Sequence, residues 1–410
     1  METDPIFFYD LAYVFIAAAI TMSRTTLLVL GGWLLVGFGL TLSAGADDTG
    51  LERSGFALTT LDGPGNVGQY TSVTIGADGL GLISYHDVTN RTLKVAHCSN
   101  RACTSVTLTI LDSVGEVGQF TSVTIGADRL GLISYYDVTN RNLKVAHCSD
   151  LACTSAILST LDDTGDVGQD TSVTMGADGL GLISYHDVTN GNLKVAHCSD
   201  RACTSATLTT LDSAGEVGQF TSVTIGVDRL GLISYYDVTN GNLKVAHCSN
   251  QACTSATLTT LDSIGEVGQD TSVTMGADGL GLISYHDATN GNLKVAHCSN
   301  RACTAATLTT LDSTGQVGQD TSVTMGADGL GLISYRDVTN GNLRVAHCSN
   351  RACTSATVTT LDSTGEVGQD TSVTMGADGL GLISYHDATN SNLKVAHCSD
   401  RFCVPSHGRR

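Results

Sequence analysis

The stretch Thr71–Phe120 reads TSVTIGADGLGLISYHDVTNRTLKVAHCSNRACTSVTLTILDSVGEVGQF, and it decides the fold because it repeats. Thr-Ser-Val-Thr returns at Thr121, Thr171, Thr221, Thr271, Thr321 and Thr371, always 50 residues on. Val-Ala-His-Cys-Ser keeps the same step from Val95 to Val395. Neither insertion nor deletion breaks the series, so seven units fill about 350 of the 410 residues. Self-similarity at this period marks a solenoid, a propeller or an array.

Each unit holds four short segments rich in Val, Ile, Thr, Leu and Tyr. In the first unit they are Thr71–Gly76, Gly81–Asp87, Leu93–Cys98 and Val106–Leu111, here strands A to D. All four alternate and are bounded by turn residues, as half-buried strands are. Ala77-Asp78-Gly79 joins A to B, Asp87–Asn90 joins B to C, and Ser99–Ala102 joins C to D. The loop Asp112–Gly118 leads to the next A strand. No helical period is present after residue 50. Four antiparallel strands in a unit of this length predict an all-β chain built of propeller blades.

The ends of the repeat region separate a ring from a solenoid. A lone D-like segment, Gly55–Leu61, precedes the first A strand, and no D strand follows the last C strand. The offset has no use in a solenoid, which needs caps. In a ring, the first segment completes the last blade and removes an open sheet edge. The expected domain is therefore 55–403, its seventh blade made from 371–403 plus 55–61. The sequence resembles the seven-bladed β-propeller superfold over about 355 residues. Kelch repeats are similar in length, but their Gly-Gly pair is absent and the sole Trp, Trp33, lies before the repeats. Ser84-Tyr85-His86-Asp87, then Asn90 and Leu93, is similar in part to the S-x-D-x-G-x-x-W box of sialidase-like propellers, without its Trp. The resemblance implies an architecture, with ligands bound near the central channel on the face of the D–A and B–C loops. Those loops carry Asp87, Asn90, Asp112, Glu116 and Gln119 and their equivalents.

Residues 1–46 differ from all that follows. From Met22 a short basic start with Arg24 leads into the apolar run Leu27–Leu42, then Ser43-Ala44-Gly45-Ala46. This is the layout of a secretory signal peptide, with cleavage expected after Ala46. Met22 is the expected start and residues 1–21 an upstream extension; the competing reading is an uncleaved membrane anchor. Residues 47–54 form a short linker and 404–410 a tail. A net charge of −19 argues against nucleic acid, whose phosphates an acidic surface repels.

The 14 cysteines come as C-x4-C pairs flanking each C–D turn. Cys98 goes with Cys103, Cys148 with Cys153, Cys198 with Cys203, Cys248 with Cys253, Cys298 with Cys303, Cys348 with Cys353, and Cys398 with Cys403. Facing residues on antiparallel strands lie close enough for a disulfide, and each pair is expected to face in this way. An even count behind a leader suits an oxidising compartment. Metal binding is the rival reading, but His97 and Cys98 are adjacent on a strand and point to opposite faces. His97 and its six equivalents are expected to be satisfied packing residues.

Positions that differ between units are the candidate ligand-binding residues. Before strand A stand Tyr70, Phe120, Asp170, Phe220, Asp270, Asp320 and Asp370. Near the end of strand B stand His86, Tyr136, His186, Tyr236, His286, Arg336 and His386. The sets vary together: Phe with Tyr, Asp with His or Arg, Tyr70 with His86 breaking the rule. A three-residue A–B turn predicts that 70 faces 86 across the strands, and likewise in every unit. Cross-strand pairing alone would explain the covariation. The alternative is a channel-mouth site with aromatics on one arc and carboxylates on the other, suited to a sugar or a cation. Calcium is a further option, since Asp87, Asp112 and Glu116 offer hard oxygens, although no EF-hand or nonapeptide spacing is present.

No G-x-S-x-G, P-loop or H-E-x-x-H motif follows residue 46. The sequence therefore reads as a secreted, non-enzymatic, lectin-like propeller with a glycan or cell-surface polymer as partner, equivalent blade sites giving avidity. A secreted glycoside hydrolase or lyase of sialidase-like type is the second reading, and a structural surface protein the third.

Overall fold

The computed structural model describes residues 56–404. The expected leader, its start and cleavage points, the linker and all but the first residue of the tail lie outside the described residues. Twenty-eight strands, numbered in chain order, form seven four-stranded antiparallel sheets. The first sheet runs β2 (Val67–Ile75), β3 (Gly81–Asp87), β4 (Thr92–Cys98), β5 (Val106–Asp112), in that order from the inside out. The last combines β26 (Val367–Met375), β27 (Gly381–Asp387) and β28 (Asn392–Cys398) with β1 (Phe56–Asp62). β1 pairs with β28 from Phe56 opposite Cys398 to Asp62 opposite Leu393. The ring thus closes as the offset at the chain ends predicts, and the protein is a seven-bladed β-propeller.

Burial follows position in the blade. The second strand, Gly-Leu-Ile-Ser-Tyr-His-Asp, is buried along its whole length in the first blade. It is sandwiched between sheets on both sides, which is why it does not alternate cleanly. The outermost strand has exposed positions on both of its faces. The hydrophobic cores lie between blades. Val67, Val73, Ile83 and Tyr85 of the first blade pack with Leu382, Leu393 and Val395 of the last, and each other junction repeats this cluster. Gly118 shows how closely blades approach: at φ +96°, a Cβ there would sit 2.7 Å from the Cα of Leu93 in the preceding blade.

Polar bonds cross every junction. Thr121 donates to Ser84 Oγ at 2.6 Å, and the Val123 amide to Ser72 Oγ at 3.1 Å. Asp112, at the end of an outer strand, reaches into the next blade, where Tyr135 donates to it at 2.8 Å and Lys144 at 2.5 Å. The closing junction repeats this link, with Asp62 of β1 accepting from Tyr85 at 2.8 Å and from Lys94. In the sixth blade Arg344 replaces the lysine, 2.8 Å from Asp312.

All seven cysteine pairs form the expected disulfides, with Cα–Cα distances of 4.8–4.9 Å and no free cysteine. The placement of the second cysteine differs from the expectation. Cys98 ends β4, but the residue that faces it on β5 is Val106, not Cys103. Cys103 lies inside the C–D loop, where its amide donates to Asn100 O at 3.0 Å. Cys153, Cys203, Cys253, Cys303, Cys353 and Cys403 occupy the same place after their own C strands, and none of the seven belongs to a strand. All seven are left-handed, at φ 50–54°. The reason is loop length. The Ser99 amide closes the loop on Ser105 O, so the fifth residue after Cys98 is still in the turn. A left-handed residue there folds the chain back and brings Sγ to its partner. Both cysteines of each pair are fully buried.

His97 is a satisfied structural residue, as expected. Its Nε2 lies 2.8 Å from Asp78 Oδ2 of the A–B turn, five other blades repeat the bond, and in the sixth His347 Nε2 stands 3.1 Å from Asp328 Oδ2 without a hydrogen bond. Among the described residues no helix is long and apolar enough to cross a membrane.

Candidate functional site

The A–B turn has the expected form. Gly76 donates to Leu80 O at 2.7 Å, and Gly79 is left-handed at φ +80°. From there Ser72 faces Ser84 and Val73 faces Ile83, in the predicted register. The register then shifts: Gln69, not Tyr70, opposes His86, and Val67 opposes Asp87. Every blade carries this bulge. The predicted backbone register of 70 opposite 86 is therefore wrong, although the Tyr70 and His86, Phe120 and Tyr136, and Phe220 and Tyr236 rings still meet, with centroids 6.2 Å apart. A bulge re-aims the side chain it carries. Tyr70, Phe120, Asp170, Phe220, Asp270, Asp320 and Asp370 all sit at φ 49–53°, a left-handed conformation unusual for aromatic residues.

Together the seven line one cavity of about 190 Å³, with the seven threonines from Thr71 to Thr371. They make a shared axial pocket at the mouth where the A strands begin, not one site per blade. The Tyr70 and Phe120 rings meet across a blade boundary, centroids 4.6 Å apart and tilted 47°. The aspartates bond around the ring. Asp170 Oδ2 accepts from the Phe220 amide at 3.1 Å, and Asp270 Oδ2 from the Asp320 amide at 3.1 Å. No aspartate here stands directly across the strands from the histidine or arginine of its own blade, as the predicted pairs required.

Burial raises all four carboxyls above their usual range. It lifts Asp270 to about 6, helped by Asp170 and Asp370 and opposed by the Asp320 amide. Asp320 goes well above the usual value through burial and the repulsion of Asp270 and Asp370, with Arg336 opposing. The Tyr70 phenol moves to about 12 through burial and the nearby aspartates.

The second candidate set is not part of this lining; four of its members find partners in the next blade, and His386 Nδ1 lies 3.2 Å from Gln369 Oε1 of its own blade. Tyr136 donates to Asp166 at 2.7 Å, Tyr236 to Glu266, and Arg336 to Glu366 at 3.1 Å, while His186 Nε2 lies 3.2 Å from Glu216. The partner stands 30 residues on, in the next D–A loop. That offset was a signal available in the sequence, hidden by the nearer covariation within each blade. The corresponding residue after His286 is Gln316, and neither nitrogen of His286 or His86 has a hydrogen-bond partner among the described residues. Burial lowers the imidazoles of His86 and His386 to about 4, and that of His286 in the same direction.

The oxygens considered for calcium have other work. Asp87 caps its B–C turn through the Asn90 amide and side chain, both at 2.9 Å, and Asp112 holds the junction described above. Among the described residues no group of three or more His, Cys, Asp or Glu is gathered to hold a metal.

No family model matches the chain, and no curated protein does. Among solved structures it is similar to the α-L-arabinofuranosidase Arb93A from Fusarium graminearum, at 12% identity and TM-score 0.47, covering 68% of this chain and 91% of that one. It is also similar to the NanB sialidase (K499G mutant) from Streptococcus pneumoniae, at 9% identity and TM-score 0.48, covering 81% and 68%. A third similar structure is the leech intramolecular trans-sialidase, at 12% identity and TM-score 0.45, covering 82% and 67%.

Proposed function

We propose that this protein is a secreted, non-enzymatic binding propeller whose axial pocket takes one sugar residue of a glycan or cell-surface polymer. One observation carries the reading: one set of positions that vary between otherwise near-identical blades, from Tyr70 to Asp370, converges on a single cavity of mixed aromatic and carboxylate lining. Aromatic faces beside a few polar groups suit a ligand with one apolar face and a hydroxylated edge. At about 190 Å³ the cavity is below the usual range of drug-sized sites, roughly 300–1,000 Å³, so the ligand in contact is small. The binding stoichiometry expected is one per chain. Seven disulfides support an extracellular setting.

The test is a glycan array probed with folded wild type and with Phe120→Ala and Phe220→Ala. Loss of a wild-type signal in both variants supports the reading; an unchanged signal removes the pocket from binding. Glycoside hydrolysis is the second reading, favoured by the adjacent carboxyls Asp270 and Asp320, both raised, since one carboxyl of a hydrolytic pair must stay protonated. Turnover of aryl glycosides, abolished by Asp320→Asn, would replace binding with catalysis.

A further inference from the structure

The lining of the axial cavity is lopsided. Asp270, Asp320 and Asp370 follow one another around the rim without interruption, while Tyr70 and Phe120 form the adjoining wall. Asp270 gives one oxygen to the Asp320 amide; its other oxygen has no donor among the described residues. Arg336 acts on Asp320 and Asp370, yet its guanidinium is bound to Glu366 at 3.1 Å. The rim therefore carries carboxylate in excess of the cation that faces it.

A neutral sugar could accept or donate hydrogen bonds here, but it would leave that excess in place. A bare metal ion would make no use of the rings. A small organic cation answers both walls at once: its charge meets the carboxylate arc, and its C–H surface meets the aromatic faces, which attract cations through their quadrupoles. We propose that the axial cavity selects an organic ammonium group, seated between the Tyr70–Phe120 wall and the Asp270–Asp320–Asp370 arc. Resting on the glycan reading, the sugar it takes is one with a free amine. The raised carboxyls fit this, because a bound cation repays the cost of their ionisation.

The experiment is calorimetric titration of the full-length mature protein at neutral pH with glucosamine, N-acetylglucosamine, glucose and choline. Glucosamine binding at least about tenfold tighter than the two neutral sugars supports both the ammonium proposal and the glycan reading. Equal binding of all three sugars, unchanged in Asp320→Asn, overturns the ammonium proposal and keeps the glycan reading. Binding of choline with no sugar bound keeps the ammonium proposal and overturns the glycan reading. Absence of all four overturns both. Asp320→Asn retains an oxygen for the neighbouring amide, and Phe120→Leu retains bulk without a π face. Each is expected to weaken ammonium binding about tenfold while melting as a folded protein. Unaltered ammonium binding in both variants overturns the proposed seat.

Discussion

The hydroxyl of Thr71 donates to Ser384 Oγ at 3.0 Å, joining residues 313 positions apart. It is the bond that joins Thr121 to Ser84 at an ordinary junction, made here between the first blade and the last. The closing junction is thus chemically equivalent to the other six, and it depends on β1 to supply Asp62. Deleting residues 56–62 should leave Tyr85 and Lys94 without that carboxylate and β28 with an open edge. A marked fall in melting temperature with self-association on gel filtration is expected. A monomer of wild-type stability would show that the ring does not need its strap.

Tyr135→Phe removes one donor from Asp112, and Lys144→Met removes the charge that balances it. The first change should cost about 1 kcal/mol and the second about 3 kcal/mol, because it strands a buried carboxylate. Denaturant titration of the two variants checks the order.

Acid should act on the two aspartate sets in opposite directions. Burial raises Asp112, but hydrogen bonds from Lys144, the Val114 amide and Tyr135 prevail and hold it below its usual range, as similar bonds do for Asp162, Asp212, Asp262 and Asp362. Their contribution is present above the unfolded-state value near pH 4 and disappears as pH falls through the folded value. For a raised carboxyl such as Asp320 the unfolded chain ionises first. Its destabilising effect grows from about pH 4 upward until the folded value is passed. Asp320→Asn should therefore raise the melting temperature at neutral pH and do nothing at about pH 3. A shift of equal size at both pH values would refute the assignment.

Each disulfide spans a sequence separation of 5 residues, so loop-closure arithmetic assigns it about 2 kcal/mol. Replacing any one pair by alanines should lower stability by that amount, with little difference between blades. Complete reduction should act cumulatively, seen as a large drop in the melting temperature under dithiothreitol.

The ring, its closing strand, the cysteine pairing and the A–B turn were legible in the sequence. A strict period leaves each of them in the same place seven times, and turn chemistry is local. The exact seat of Cys103 was not legible: strand D was expected to start at Val106, as β5 does, but Cys103 stands three residues before it and reaches Cys98 through a left-handed turn rather than by facing it across the strands. Nor was the bulge. Whether Tyr70 pairs with His86 or turns inward depends on how closely seven inner strands converge, and no residue near Tyr70 encodes that distance. The Asp112–Tyr135–Lys144 link was half visible: a lysine among Leu143, Val145 and Ala146 calls for a buried partner, but the partner belongs to the preceding blade. Likewise the acids bonded to Tyr136 and Arg336 come from the following blade, which the comparison of equivalent positions within units overlooks.

Every covalent bridge stays inside one hairpin or turn, and none spans a junction or ties β1 to its sheet. Held by its two ends and stretched, the chain has no cross-link to arrest it at the seam. The toroid should give way by peeling the strap from β28 like a zipper, then shed its sheets in succession. Its mechanical weak point is the seam rather than any of the seven cystine knuckles.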